Sequence, residues 1–156
     1  MSNHSAYRTF VDRLSKTKDS AREKSTKKRK SLGLRTAREN LDDLVDPGSF
    51  LEFGAFAVAA QRNRRDYEEL QLETSADGIL TGFCNINEDE VGEDNSHAAA
   101  IIYDYSVLAG SQGFFHHQKL DRICEKAEEF SLPVVIFTEG GGGRPGDTDV
   151  TTQIAV

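Results

Sequence analysis

The sequence predicts an α/β fold in which helices precede a small sheet. Apolar residues in the first third of the chain repeat at helical spacing, and apolar runs of strand length follow later. From Gly78 onward the predicted order of elements is strand, strand, helix, strand. Glycine-bearing turns follow two of these segments, near residues 109–113 and 140–143. We therefore expect the two turns to lie at neighbouring strand ends.

Residues 1–45 are predicted to form a basic helical segment. Phe10, Val11 and Leu14 make a short apolar face. Further along, the apolar residues are again spaced for one face of a helix: Leu34, Ala37, Leu41, Leu44 and Val45. The turn sequence at residues 46–49, Asp-Pro-Gly-Ser, ends that helix. Residues 46–156 are expected to form the sheet-containing part of one domain.

The next elements are predicted from apolar runs that turn residues separate. Residues 50–56 form the first strand, and the polar residues 61–73 form a surface loop or a short helix. Residues 78–86 and 98–104 are partner strands. The acidic stretch 88–96 between them is predicted to be an exposed hairpin tip.

The last part of the sequence predicts one more helix and one more strand. Residues 107–113 are typical of a strand end that breaks into a glycine-bearing turn. The helix that follows has one apolar face, formed by Leu120, Ile123, Cys124 and Ala127. Residues 133–137 are a short β-branched run typical of a buried strand, and the glycine run comes directly after it.

Composition favours a single domain in a reducing compartment. A chain of 156 residues with 37% hydrophobic residues can bury a core. No apolar stretch approaches the ~20 residues that span a bilayer, and no secretory h-region is present. Cys84 and Cys124 form no Cys-x-x-Cys pair, which argues against a disulfide framework and against a zinc ribbon. We expect a cytoplasmic protein without membrane association and without a metal.

The charge of the chain is strongly asymmetric. Residues 13–38 carry a local charge of +9, and the rest carries −16, within a net charge of −7. The run Lys27-Lys28-Arg29-Lys30 could serve as a nucleic-acid arm or a targeting patch. No aromatic residue lies between these charges to stack on bases. A solvated helical face, or a docking surface for an acidic partner, is the favoured interpretation.

The glycine run at residues 140–143 is the strongest functional signal. Glycines after a strand permit positive φ and let another molecule approach the backbone N–H groups. Such amides bind an oxyanion, whether a phosphate oxygen or the oxygen of a developing enolate. A flexible linker is the alternative, and it is disfavoured because the run begins at a strand end and continues into Arg144-Pro145-Gly146-Asp147.

Two strand-end turns allow a mechanism to be formulated. One turn, near Gly110, and the other, near Gly141 and Gly142, can each supply a backbone N–H to a single oxygen. A thioester that loses its α proton becomes an enolate with negative charge on that oxygen. Amides that are already oriented stabilise this charge, and no side-chain acid or base is strictly required.

Several motifs resemble the carboxyltransferase component of biotin-dependent acyl-CoA carboxylases, whose fold is crotonase-like. The resemblance begins at residues 36–41 and 44–52 and continues at 78–82. Residues 104–113 are similar to the aspartate-to-Gly-Ser turn of the family, and residues 139–144 to its glycine-pair-and-arginine segment. The resemblance implies a ββα spiral preceded by helices, of which residues 46–156 are the first part.

The resemblance also implies roles for particular residues. Gly141 and Gly142 are the expected oxyanion glycines, with Gly110 and Ser111 at the opposite turn. The expected substrate contacts are Ala109, Gly140, Gly143, Arg144, His116 and Lys119. Gly140 and Gly143 stand where family members commonly carry serine and alanine.

The activity that the resemblance implies is transfer of carboxylate from carboxybiotin to the α carbon of an acyl-CoA. Biotin is expected on a partner carrier domain, with a biotin carboxylase component as a further partner and acyl-CoA as the substrate. A homo-oligomer is expected. The chain resembles an amino-terminal portion of such an enzyme, so we expect it to be inactive alone and to expose an apolar surface or self-associate.

Individual side chains leave alternatives open. Lys119 could contact a CoA phosphate or be a solvated helix residue. Asp104 could be catalytic, although an acid at a strand end more often accepts backbone hydrogen bonds. Arg144 is favoured as a brace of the glycine loop over a carboxylate partner. His116 and His117 are unpromising metal ligands, because adjacent helical residues point in different directions.

Other function classes remain as alternatives. The pattern Gly141-x-Gly143-x-x-Gly146 matches a dinucleotide fingerprint, but the ten residues that follow cannot hold its ribose-binding acid. A P-loop is excluded because no Gly-Lys-Ser/Thr occurs. Another crotonase-like enzyme, such as an acyl-CoA decarboxylase, would use the same oxyanion chemistry. A non-catalytic assembly module that docks a partner through its basic helix is the third possibility.

Overall fold

The computed structural model of the chain describes residues 3–150 and contains helices packed on a small mixed sheet. The helices and strands, in chain order, are α1 (Asn3–Ser15), α2 (Glu23–Ser31), α3 (Ala37–Leu44), β1 (Leu51–Phe53), α4 (Tyr67–Glu73), β2 (Ile79–Asn85), α5 (Glu88–Val91), α6 (Glu93–Ser96), β3 (His97–Tyr103), α7 (Phe114–Glu129) and β4 (Val134–Phe137). The predicted α/β class is therefore confirmed.

The four strands form one sheet in the order β1-β2-β3-β4. β1 pairs with β2 and β2 with β3 in antiparallel fashion, whereas β4 lies parallel to β3. The predicted order strand, strand, helix, strand is correct, because α7 makes the crossover between the two parallel strands. Because β3 and β4 are parallel, the turns that follow them lie at the same end of the sheet.

Each face of the sheet is covered by a helix, and alternating residues of the central strands point to the two sides. On one face, Ala37 and Leu41 of α3 pack with Leu80 and Ile102. On the other face, the side chains from α7 and the neighbouring strand positions form the second cluster: Ile123, Ala127, Ile79 and Ile101. The period of two along β2 and β3 is what allows both sides to be apolar.

Helix α3 is shorter than the apolar spacing suggested. Thr36 caps its N-terminus, and Glu39 completes a reciprocal capping box, so the helix begins at Ala37. Leu34 lies before this cap and is 46% exposed. The prediction that Leu34 belongs to the helix is therefore wrong, because the capping residues, not the apolar period, set its start.

Two strand predictions need correction. The predicted strand at residues 50–56 is only three residues long, and residues 107–113 contain a short 3₁₀ turn, Leu108–Gly110, in place of a strand end. The predicted hairpin tip at residues 88–96 does join β2 to β3, but α5 and α6 build it.

The last strand, β4, was predicted to be buried, but it is exposed. β4 pairs with β3 alone among the residues that the structure describes, so it forms an edge of the sheet. Val134 is 41% exposed, Ile136 49% and Phe137 40%. On α1, Phe10 and Val11 are also exposed, at 49% and 42%. The chain therefore presents apolar surface at two places, as the resemblance led us to expect.

Among residues 3–150 no helix is long and apolar enough to cross a membrane.

Candidate functional site

Two turns meet at the end of the sheet where β3 and β4 terminate. The first turn is formed by residues 108–111, and the second is the glycine run at residues 140–143. A Cβ added to Gly110 would lie 2.2 Å from the carbonyl oxygen of Glu139, and one added to Gly140 would lie 2.5 Å from that of Ala109. Gly110 and Gly140 also have positive φ, at +69° and +100°. Only glycine permits this close approach. The expectation that the two glycine turns are neighbours is confirmed.

A parallel bridge holds the two turns together. The N–H of Gln112 donates to the carbonyl of Gly142 at 3.0 Å, and the N–H of Arg144 donates to the carbonyl of Gln112 at 2.8 Å. This bridge places Gly141, Gly142 and Gly143 against the chain that leads into α7. The glycine run is thus part of the folded site and not a linker.

Some N–H groups of the two turns already donate to backbone carbonyls, whereas others have no backbone acceptor. The N–H of Gly110 donates to Val107 at 2.9 Å, and that of Ser111 donates to Leu108 at 3.3 Å. The predicted oxyanion role of the Gly110 and Ser111 amides is therefore corrected, because both are already engaged. Within residues 3–150, the N–H groups of Ala109, Gly141 and Gly142 have no backbone acceptor. These three amides remain candidates.

Arg144 is buried and braces the glycine run. Its Nη2 donates to Asp77 at 2.6 Å, and its Nε lies 3.7 Å from Asp147. Asp77 is fully buried, and its second oxygen accepts the His116 N–H at 2.8 Å. Burial raises the pKa of Asp77, and the guanidinium of Arg144 opposes that rise. The structure supports the bracing role; Nη2 alone of the guanidinium nitrogens makes hydrogen bonds within the described residues, and the substrate contact of Arg144 stays a prediction.

His116 is a structural residue in this fold. It is 0% exposed, its Nδ1 lies 3.2 Å from the carbonyl oxygen of Asp77, and its ring meets the Tyr103 ring edge-on. Burial lowers the pKa of His116 to about 4. The expected substrate contact of His116 is therefore corrected: in this structure its ring has no open side.

Acidification is expected to destabilise the protein through His116. Its folded-state pKa lies below the ordinary value of 6.5, so the unfolded chain takes up the proton first as the pH falls. Stability is thus lost between about pH 6.5 and 4, and the loss reaches about 2 kcal/mol at pH 5. Urea unfolding of the wild type and of His116→Gln at pH 7 and pH 5 measures this. Equal losses in both proteins would contradict the assignment.

Lys119 is also buried, although both interpretations of the sequence had it exposed. Its ammonium donates to the carbonyls of Ala76, at 2.9 Å, and Ile79. Burial lowers the pKa of Lys119 to about 8. The CoA-phosphate interpretation and the solvated interpretation are both wrong, because the Lys119 ammonium donates hydrogen bonds to backbone carbonyls at the start of β2.

Asp104 has the structural role that the sequence favoured. One carboxylate oxygen accepts the N–H and hydroxyl of Ser106, at 2.9 and 2.5 Å. The other accepts from Arg22 at 2.8 Å. Asp104 thereby fixes the start of the first turn.

Helix α2 reaches the site, which the sequence did not indicate. Arg29 donates to both oxygens of Glu139, at 2.9 and 2.7 Å, and Arg22 binds Asp104. Arg22 and Arg29 are buried, so the basic segment is not simply a solvated face. The available signal was the seven-residue spacing of the two arginines, which places them on one side of a helix.

A cleft of about 370 Å³ separates α2 from the first turn. Three basic residues line it, Lys24, Lys28 and Arg29, together with one acidic residue, Glu73; the rest of the lining is apolar or neutral and includes Leu32, Leu34, Tyr105 and Ala109. Ala109, one of the candidate amide donors, thus lies on a cleft in which basic side chains outnumber acidic ones. In the part of the chain that the structure describes, no group of three or more His, Cys, Asp or Glu side chains could hold a metal ion.

The fold and the paired turns define a crotonase-like α/β protein. A family model described as "Carboxyl transferase domain" matches residues 28–153. The chain belongs to this family.

Curated relatives carry related names. The chain is 32% identical over 136 residues to the biotin-dependent long chain acyl-coenzyme A carboxylase beta4 subunit of Mycobacterium tuberculosis, covering 87% of the chain and 23% of that protein. It is 29% identical to the methylmalonyl-CoA decarboxylase subunit alpha of Veillonella parvula, covering 85% of the chain and 24% of that protein. The chain therefore spans about a quarter of the length of these relatives.

Two solved structures are similar as well. A single-chain, multi-domain long-chain acyl-CoA carboxylase has a TM-score of 0.87 and 49% identity, over 91% of this chain and 14% of that one. The transcarboxylase 12S structure, a hexamer with methylmalonyl-coenzyme A bound, has a TM-score of 0.75 and 27% identity, over 94% of this chain and 27% of that one.

Proposed function

We propose that this chain forms the acyl-CoA side of a carboxyltransferase that moves carboxylate from carboxybiotin to the α carbon of an acyl-CoA. The observation that carries the proposal is the contact between Gly110 and Gly140, which brings the two strand-end turns into one site. Family membership and the names of the relatives support the reaction class. The acyl group that is carboxylated is left open.

The N–H groups of Ala109, Gly141 and Gly142 would hold the enolate oxygen. They lie on the two turns that meet, and no backbone acceptor among the described residues occupies them. A preformed donor of this kind is worth about 3–4 kcal/mol in the transition state. The chain then needs no side-chain base of its own, which agrees with the structural roles of His116 and Lys119.

The basic cleft would hold the phosphates of the CoA. Lys24 and Lys28 line it from α2, and Ala109 lines it at the turn. Phosphates on the lysines would direct the thioester arm toward Ala109. Carboxybiotin would supply the carboxylate from a partner carrier domain, which a biotin carboxylase component would recharge.

We expect Lys24→Glu/Lys28→Glu to weaken acyl-CoA binding by about tenfold or more, because two attractive charges become repulsive. Calorimetry with propionyl-CoA measures this. Lys18→Glu/Lys27→Glu is the matched control, with the same change in charge: both lysines are exposed, and neither lines the cleft. An equal loss in the control would show that only the total charge matters and would count against the cleft.

A decarboxylase is the second candidate, favoured by the similarity to the methylmalonyl-CoA decarboxylase subunit. Both reactions pass through the same enolate, and they differ in the fate of the carboxylate. Release of carbon dioxide from methylmalonyl-CoA by the assembled enzyme, with no transfer to biotin, would favour it. Absence of any acyl-CoA binding by the chain would instead favour the assembly module. For the carboxyltransferase we also propose a homo-oligomer, as in the transcarboxylase 12S hexamer.

A further inference from the structure

The glycine run is held at both ends, and between them by one hydrogen bond, from the Gln112 N–H to the carbonyl of Gly142. A Cβ added to Gly141 or Gly142 would meet no atom within 4 Å, so packing does not restrain this part of the loop. Arg144 anchors one end through Asp77. Glu139 anchors the other end through its two hydrogen bonds to Arg29. The orientation of the peptide groups between these anchors therefore depends on both of them.

We propose that Glu139 is a positioning residue that sets the direction of the Gly141 and Gly142 amides, with Arg29 as its partner. This inference rests on the proposed function, because it concerns the amides that would hold the enolate oxygen. Glu139 directly precedes Gly140, whose φ of +100° turns the chain toward Ala109. A bidentate pair fixes the direction of a carboxylate as well as its distance, so it transmits orientation to the adjacent peptide.

Charge and orientation have opposite effects on oxyanion binding when Glu139 is replaced. A free carboxylate beside the enolate site would repel the developing charge, but Arg29 neutralises it. The Arg29 side chain is only 8% exposed, whereas that of Glu139 is 38% exposed. Removing the Glu139 carboxylate leaves a mostly buried cation that would attract the enolate, so weaker oxyanion binding in such a variant would report the released loop end and not the change in charge.

The pair also connects the loop to the substrate cleft. Arg29 lines that cleft together with Lys28, and its guanidinium lies 5.9 Å from the centre of the Tyr105 ring. A phosphate bound in the cleft would act on the same helix that holds Glu139. Helix α2 thus links binding of the CoA body to the geometry of the two amides.

Binding of two ligands distinguishes a positioning role of Glu139 from a general effect on the stability of the fold. The first is a CoA thioether that carries a nitronate, an analogue of the enolate; the second is CoA itself. In the full chain, Glu139→Gln is expected to weaken nitronate binding by about tenfold or more, since misdirected donors lose their effect on the oxyanion. Binding of CoA should change by less than about threefold, because the phosphate contacts remain.

The matched control is Glu52→Gln. Glu52 forms the same bidentate contact with Arg38, at 2.9 and 3.0 Å, and this pair joins α3 to β1 away from the glycine turns. The control is expected to change neither binding ratio. The double swap Arg29→Glu/Glu139→Arg should restore part of the nitronate preference. Amide hydrogen exchange should show faster exchange at Gln112 and Arg144, whose N–H groups form the bridge to the glycine run, in Glu139→Gln only.

The outcomes are distinguishable. Equal weakening of the nitronate and of CoA in Glu139→Gln, or unchanged exchange at Gln112 and Arg144, would overturn the positioning role. A wild-type chain that binds CoA but shows no preference for the nitronate would overturn the proposed oxyanion hole and the positioning role with it. A nitronate preference that survives in Glu139→Gln would overturn the positioning role alone.

Discussion

Replacing Asp77 by alanine is expected to lower the free energy of unfolding by about 3–5 kcal/mol, the cost of leaving a buried charge without its partner. Asp77 is fully buried and joins three segments: its oxygens accept from Arg144 at 2.6 Å and from the His116 N–H at 2.8 Å. Its own φ of +50° also disfavours alanine. Urea unfolding followed by circular dichroism measures the loss.

Two further variants test whether the loss of stability in Asp77→Ala comes from its buried carboxylate. Asp77→Asn keeps an acceptor for the His116 N–H and tolerates positive φ, so its loss should be smaller than that of Asp77→Ala. Asp43→Asn breaks the exposed pair with Arg35 and should have no measurable effect. A loss in Asp77→Ala no larger than in Asp43→Asn would show that the buried cluster does not stabilise the fold.

Gly140→Ala is expected to separate the two turns and abolish acyl-CoA binding. The new Cβ would lie 2.5 Å from the carbonyl oxygen of Ala109 and 2.7 Å from the Cα of Gly110. Collision with backbone atoms cannot be relieved by a rotamer change. Together with the positive φ, the cost to stability is of order 3 kcal/mol. Calorimetry with propionyl-CoA and thermal unfolding measure the two effects.

Gly92→Ala is the control that measures the cost of an alanine at positive φ without a steric collision of its Cβ. Gly92 has a φ of +82°, similar to that of Gly140, but a Cβ there would meet nothing within 4 Å. It should cost about 1 kcal/mol and leave acyl-CoA binding unchanged. Normal binding in Gly140→Ala would contradict the requirement for contact between the turns.

The sequence predicted the order of elements along the chain and the site turns because these depend on local signals. Apolar runs marked β2 and β3, and glycines after strands marked the two turns at Gly110 and Gly140. Parallel pairing then placed those turns together without further information. The resemblance supplied the family, which the comparison with known proteins confirms.

What the sequence missed was decided by long-range contacts. Burial of Lys119 and His116 depends on carbonyls and carboxylates about forty positions earlier in the chain. The role of α2 depends on partners still more distant, since a run of lysines and arginines gives no sign of which members pair. The exposure of β4 follows from which strands pair with it, and a β-branched run alone does not reveal this.

The arginine contacts of α2 have a consequence for folding kinetics. Arg22 pairs with a residue 82 positions later, and Arg29 with one 110 positions later. Closing loops of that length is slow compared with forming a helix or a hairpin. During synthesis α2 must therefore leave the ribosome long before its partners exist. The candidate site would form only in the last stage of folding, and a ligand that bridges α2 and the turns would favour that final step.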